Sequence, residues 1–145
     1  MKYSDYKIIV EKEYRINRKN LPTTYVFLIM ALFFYLTFFF YIQESMILVA
    51  AFFLNIVSAI YLIRSIKSMH PYWEIRIALD AKRKDDDISV YKFAAVIDYV
   101  VEHKFSPFKE KSKKIFEESY NSIIESNQIS DQAKIQLKMS LSAIK

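Results

Sequence analysis

Glycine and cysteine are both absent from the 145 residues, and proline occurs only three times. Without glycine, phosphate-cradling loops, the dinucleotide fingerprint and the glycine form of the close-packing motif between membrane helices cannot be built. Without cysteine there is no disulfide framework, no thiolate metal site and no cysteine redox chemistry, so nothing requires an oxidising compartment. A third scarcity says more. Between Lys19 and Arg64 the chain runs for 44 residues with a single ionisable side chain, Glu44, close to the middle.

What fills that gap is apolar. Residues 22–42 form a run of 21, and a helix of that length spans roughly 31 Å at about 1.5 Å per residue, against a hydrocarbon core of about 30 Å. Residues 46–63 form a second run of 18, near the short end of the spanning range. Gln43-Glu44-Ser45 is the only polar cluster between them. A charge at the centre of a membrane helix costs about 2.5 to 3.5 kcal/mol, a cost that a tight turn at the far interface avoids. The pattern predicts an all-α membrane protein: a two-helix transmembrane hairpin over residues 21–68, with helices at about 22–42 and 46–65. A single long buried helix of a soluble protein is the competing reading, and an uncapped run far beyond about 25 residues argues against it. Phe33, Phe34, Tyr35, Phe38, Phe39, Phe40 and Tyr41 make one side of the first helix very bulky. The first apolar run is too long for a cleaved signal peptide, and no small-residue cleavage site follows it, so the chain is expected to stay anchored.

The net charge of +5 is distributed as +3 over residues 1–20, −1 at Glu44 and +3 over residues 64–145. Arg15, Arg18 and Lys19 flank the apolar stretch on one side, Arg64 and Lys67 on the other, and the connecting turn has no basic residue. The positive-inside rule then predicts both termini in the cytoplasm, with the chain multi-pass in the inner (plasma) membrane. The juxtamembrane cations fit attraction to anionic lipid headgroups, and no direct nucleic-acid binding is expected.

Residues 1–20 carry Tyr6, Ile8, Val10, Tyr14 and Ile16 in strand-like alternation, while Tyr3, Tyr6, Val10 and Tyr14 share a helical face. An amphipathic helix against the membrane surface is favoured, since a lone strand here has no partner. The second membrane helix is expected to continue to about Ser68. His70-Pro71 reads as a hinge, because the residue before a proline is pushed out of the helical region. Tyr72–Leu79 fits either period. Lys82–Asp87 reads as a charged turn whose acidic half suits the start of a helix near Ile88. Residues 90–101 contain only Lys92 and Asp98 as charged residues, the pattern of a nearly all-buried helix at the centre of a cytoplasmic domain spanning 69–145. Ser106-Pro107 is expected to start an amphipathic helix with Phe108, Ile115, Phe116, Tyr120, Ile123 and Ile124 on one face. A last helix begins at Ser130-Asp131 and presents Ala133, Leu137, Leu141 and Ile144. A soluble part of this size is marginal for stability on its own, so packing against neighbouring copies or the membrane is expected.

Catalysis finds no support. Arg64 and His70 have the Arg-x5-His spacing found in HEPN-class ribonucleases, where a histidine acid or base works beside an arginine that stabilises phosphate charge. Two residues at that spacing are common by chance, and a snorkelling arginine beside a hinge histidine explains them. Asp85, Asp86 and Asp87 carry hard oxygen ligands, but consecutive residues cannot all face one ion, and a solvated turn explains them better. His103 has no second histidine or cysteine to complete a metal site. No catalytic residue, metal or cofactor is therefore assigned.

Ala51, Asn55, Ser58 and Ala59, with Leu62, gather on one stripe of the second apolar helix. Small residues allow close approach of helices in lipid, and an intramembrane Asn or Ser seeks a partner there, at about 0.6 to 2 kcal/mol. The stripe suits self-association or pairing with another membrane protein, and it suits equally well packing against the first helix of the same hairpin. Several copies could turn Asn55 and Ser58 into a pore lining, although without a ring of charge for ion selectivity.

A basic cytoplasmic head with Arg15, Arg18 and Lys19, two membrane helices, and a helical tail entered through Lys67 and His70 form a layout that resembles the SLATT-type two-helix effectors of bacterial anti-phage and CRISPR-associated systems. The absence of glycine and the Phe-rich first helix depart from that pattern. The resemblance implies a homo-oligomer that breaches or depolarises the inner membrane when a cytoplasmic partner is triggered. The alternative is a non-conducting membrane subunit or immunity-type protein that docks a protein partner through its cytoplasmic helices.

Overall fold

Where the sequence offered two periods, the helical one is used. The computed structural model describes residues 2–67 and 69–144. They form six α-helices and no strand: α1 Tyr3–Phe40, α2 Ser45–Ile66, α3 Tyr72–Lys84, α4 Asp87–Glu102, α5 Glu110–Glu125 and α6 Asp131–Ser142. The chain divides into two units, Met1–Tyr14 with Met69–Lys145, and Arg15–Ser68.

The first of these is a helical unit centred on α4. Val90, Phe93, Ala94, Ala95, Val96 and Ile97 are sealed from solvent, as the scarcity of charge over residues 90–101 predicts. Trp73, Ile77, Ala78 and Ala81 of α3 join the same core, with Phe116 and Ile123 of α5 and Ala133 and Leu137 of α6. Burial of large side chains such as Trp73, Phe93 and Phe116 contributes about 1.5 to 3 kcal/mol each. Two helix starts are capped in the expected way: Asp86 Oδ1 accepts from the Ser89 amide at 2.6 Å, and Ser130 Oγ from the Ala133 amide at 3.4 Å. The acidic triplet thus does local work. Asp87 Oδ1 accepts from the Ser130 amide at 2.8 Å, tying the start of α4 to the start of α6.

Three expectations need correction. Residues 3–14 are not a separate helix with a free apolar face: they are the first part of α1, and Tyr6, Val10 and Tyr14 are buried in the helical unit's core. The reason is aromatic packing across the unit, with Tyr6 stacked on Tyr91 at 5.5 Å and Tyr14 on Trp73 at 5.4 Å. Pro22 therefore sits inside α1 rather than at a helix start. Finally, α5 begins at Glu110, behind an extended Lys109, not at Ser106-Pro107. Phe108 is the cause: it is 9 % exposed, wedged edge-on against Phe116 at 5.2 Å, and that burial holds the lead-in extended.

The lack of glycine leaves a mark at two turns. Asp85 closes α3 at φ 54° and Lys104 follows α4 at φ 51°, a left-handed conformation that costs a residue with a Cβ about 1 to 2 kcal/mol and is easier for Asp than for Lys.

In the second unit the usual burial pattern is reversed. The sealed side chains of α1 and α2 are Thr24, Ala31, Ala51, Ser58 and Ser65. Tyr25, Leu32, Phe33, Phe39, Phe40, Phe52, Phe53 and Ile63 are exposed, Phe33 by 66 %. Both helices are long and apolar enough to cross a membrane, and only 11 % of the most apolar window of each is buried. The core helix of a soluble protein passes the same length test but would be mostly buried.

Candidate functional site

The stripe on α2 resolves into two parts. Ala51 and Ser58 are buried and Asn55 is half-buried, whereas Ala59 is exposed. Ala51, Ser58 and Ser65 recur every seven residues, as do Thr24 and Ala31 on α1. That is the spacing of a left-handed helix pair with small residues at the seam. Asn55 Nδ2 donates to the Tyr35 hydroxyl at 2.8 Å, Ser58 Oγ to the Thr24 carbonyl at 3.3 Å, and the Phe27 and Tyr61 rings stack at 5.7 Å. The partners of Asn55 and Ser58 are thus in α1 of the same chain.

Other hydroxyls of these helices bond back onto their own backbone. Thr24 Oγ1 donates to the Asn20 carbonyl at 3.0 Å, Thr37 Oγ1 to Phe33 at 2.9 Å and Ser65 Oγ to Tyr61 at 3.0 Å. Such back-bonding removes polar atoms from the outer surface, which is what a solvent unable to hydrogen-bond demands. Thr24, Ala31 and Ser65 escape the sequence reading. The seven-residue recurrence of small side chains is the signal that marks them.

A second cluster surrounds the expected hinge. α2 ends at Ile66 with Lys67 as its C-cap, α3 starts behind Pro71, and Ser68 lies outside the described residues. His70 is held by local contacts: its Nδ1 lies 3.0 Å from Glu74 Oε1, and its ring stands edge-on to Phe108 at 5.0 Å. Glu74 is 0 % exposed, and burial pushes its carboxyl above the usual range, opposed by the hydrogen bond to His70. Among the described residues, Glu74 Oε2, Trp73 Nε1 and Arg76 Nε are buried without a partner. Sequence reasoning missed Glu74. A glutamate in the first turn of a helix, beside tryptophan and four residues after a histidine, is the pattern that points to it.

The remaining sequence-selected residues do not form a catalytic or metal site among the described residues. Arg64 is exposed in the unit of α1 and α2, while His70 belongs to the other unit. His103 Nδ1 lies 2.9 Å from the Tyr99 carbonyl and its ring stacks on Tyr99 at 4.0 Å, a capping role at the end of α4. Arg15, Arg18, Lys19 and Lys67 are exposed. Among the described residues no three His, Cys, Asp or Glu side chains gather as metal ligands would. Along the first segment of α1, the Tyr3 hydroxyl donates to Asp98 Oδ2 at 2.7 Å, and its phenol is pushed up by burial and by that carboxylate. Lys7 pairs with Glu102, which raises the ammonium above its ordinary value, and Glu13 pairs with Lys92 at 2.6 Å.

Comparison of the chain with family models, with curated proteins and with solved structures finds no match.

Proposed function

We propose that the chain is a small integral membrane protein of the inner (plasma) membrane, crossing it twice as a helical hairpin with both termini cytoplasmic. In this reading its helical unit is a docking module held at the membrane surface. The observation that carries the proposal is the reversed burial of α1 and α2: small and hydroxylated side chains face inward while phenylalanines face outward. In water an exposed apolar surface of this extent is an aggregation liability, and in lipid it is the ordinary outer surface. Same-side termini gain support from the helical unit itself. Residues 3–14 contact α3 and α4 directly, through Tyr14–Trp73 and Tyr3–Asp98, so the segment between them must cross a bilayer an even number of times.

Docking is favoured over conduction because Asn55 and Ser58, the polar side chains available to line a pore, are engaged by Tyr35 and Thr24 of the same chain. The second reading is an oligomeric, membrane-perturbing effector of anti-phage type, controlled by a cytoplasmic partner. What favours it is the layout together with the bulky apolar face, free for lateral contact with further copies.

Expression in bacteria with a tag at each end tests both. The expected result is an alkali-resistant membrane fraction, both tags protected in intact cells and digested in inverted vesicles, and an unchanged membrane potential. A soluble protein, or tags on opposite faces, overturns the membrane reading. Collapse of the potential during phage infection replaces the docking reading with the effector.

A further inference from the structure

Some cations of the helical unit sit in ion pairs, and others there, Lys82 and Lys84 among them, are exposed. In the helical unit Lys7 pairs with Glu102, Arg76 and Lys92 with Glu13, Arg83 with Asp80 and Lys113 with Glu110. Lys19, Arg64 and Lys67 of the other unit are exposed and have no ion pair among the described residues. No acidic residue occurs within 14–21 or 63–67 to supply one. Arg15 and Arg18 add positive charge in the same stretch of α1.

In the antiparallel hairpin proposed above, the contacts from Tyr35–Asn55 to Thr24–Ser58 lead away from the connection toward residues 15–19 of α1 and 64–67 of α2. All five cations then stand at one end of the helix pair. Directly beside them the surface is apolar and exposed at Tyr25, Val26, Leu62, Ile63 and Ile66. A ligand satisfying both features carries an anion and a long apolar body. Guanidinium and ammonium groups match phosphate oxygens, the guanidinium in bidentate fashion.

We propose that Lys19, Arg64 and Lys67 form a collar that binds the headgroups of anionic phospholipids, retaining them selectively around the helix pair. The proposal rests on the membrane reading but is separable from it. A protein can insert equally well into neutral and anionic bilayers without selecting either.

The test uses the full chain reconstituted into vesicles of equal parts phosphatidylcholine and phosphatidylglycerol, re-extracted in mild detergent, with the retained headgroups quantified. The wild type is expected to retain phosphatidylglycerol preferentially. Each neutralised charge should lower that preference about five-fold at low salt, and less as salt is raised. The variant Lys19→Gln/Arg64→Gln/Lys67→Gln should therefore lose it. Lys19→Arg/Lys67→Arg should keep it, as should Lys82→Gln/Arg83→Gln/Lys84→Gln, which removes equal charge from the end of α3. Helix content by circular dichroism checks that each variant is folded. Equal retention by wild type and the collar variant, or loss in the α3 variant as well, overturns the proposal. Displacement of the lipid by inorganic phosphate or a short RNA overturns it in favour of a soluble-anion site. Failure to float with any vesicle overturns the membrane reading and this proposal together.

Discussion

In the unit built on α3 to α6, Trp73, Phe93 and Phe116 are sealed and the lysines lie outside. In the unit of α1 and α2, Thr24, Ser58 and Ala51 are sealed while Phe33, Phe52 and Phe53 lie outside. The same 18 residue types thus obey opposite rules within one short chain. Under the membrane reading proposed above, the rule in each case follows from what the surrounding medium offers. Water satisfies exposed charge and expels apolar surface, so one unit closes over its aromatics. In the proposed membrane setting hydrocarbon satisfies no polar atom, which fits the bonding of this unit's hydroxyls and its Asn55 amide to protein acceptors. α1 obeys both rules: its first part presents Tyr6, Val10 and Tyr14 to a packed core, and its later part presents phenylalanines outward.

The contrast can be broken most forcefully by truncating an aromatic on each side of it. Trp73→Ala should cost about 3 to 5 kcal/mol of the helical unit's stability, whereas Phe33→Ala, measured by the same denaturant titration in lipid nanodiscs, should stay within about 0.5 kcal/mol. Equal losses would mean that Phe33 is a core residue. Next in size, Phe52→Arg places a charge mid-helix on the outward face at about 2.5 to 3.5 kcal/mol. The membrane-inserted fraction should fall, while Ile88→Arg on the exposed surface of the helical unit should leave it unchanged.

The pH dependence sharpens the comparison from the water-facing side. Burial raises the Glu74 carboxyl, so the folded protein holds a proton that the unfolded chain releases at lower pH. The contribution of this group to stability is therefore greatest below the unfolded carboxylate range. It falls as pH rises from there, and levels off above the folded value, at about 1.4 kcal/mol per unit of separation. Glu74→Gln should flatten that part of the stability–pH profile, with thermal unfolding at several pH values as the measurement. The smallest expected effect concerns the seam of the other unit. Asn55→Leu should cost about 0.6 kcal/mol, and a double-mutant cycle with Tyr35→Phe should recover a coupling of that order. A coupling of zero would mean that the amide's natural partner lies in another copy.

Much of the helical unit was legible because its signals are local. Low charge over 90–101 marked α4 as core, and Ser130 three residues before Ala133 marked the start of α6. The apolar lengths of residues 22–42 and 46–63 similarly marked two helices. What escaped depends on contacts distant in sequence. Nothing in residues 3–14 announces that Tyr14 will stack on Trp73, so their two competing periods left them without a partner. Likewise Ser106-Pro107 is a sound local start signal, overruled by the burial of Phe108 against Phe116 and His70. On α2 the expected stripe combined Ala51 and Ser58 with Ala59. The actual seam selects every seventh residue, because register against α1 depends on where Thr24 and Tyr35 fall, and composition does not encode that.

The bond from Tyr3 to Asp98 closes a loop of 95 residues. During synthesis at about 5 to 20 residues per second, roughly 5 to 20 s separate the emergence of these two partners. Through that interval Tyr6, Val10 and Tyr14 have no core to enter, and both apolar helices leave the ribosome before one exists. Tyr6 and Tyr14 must therefore wait for partners in α4 and α3, Tyr91 and Trp73, that lie on the far side of both apolar helices.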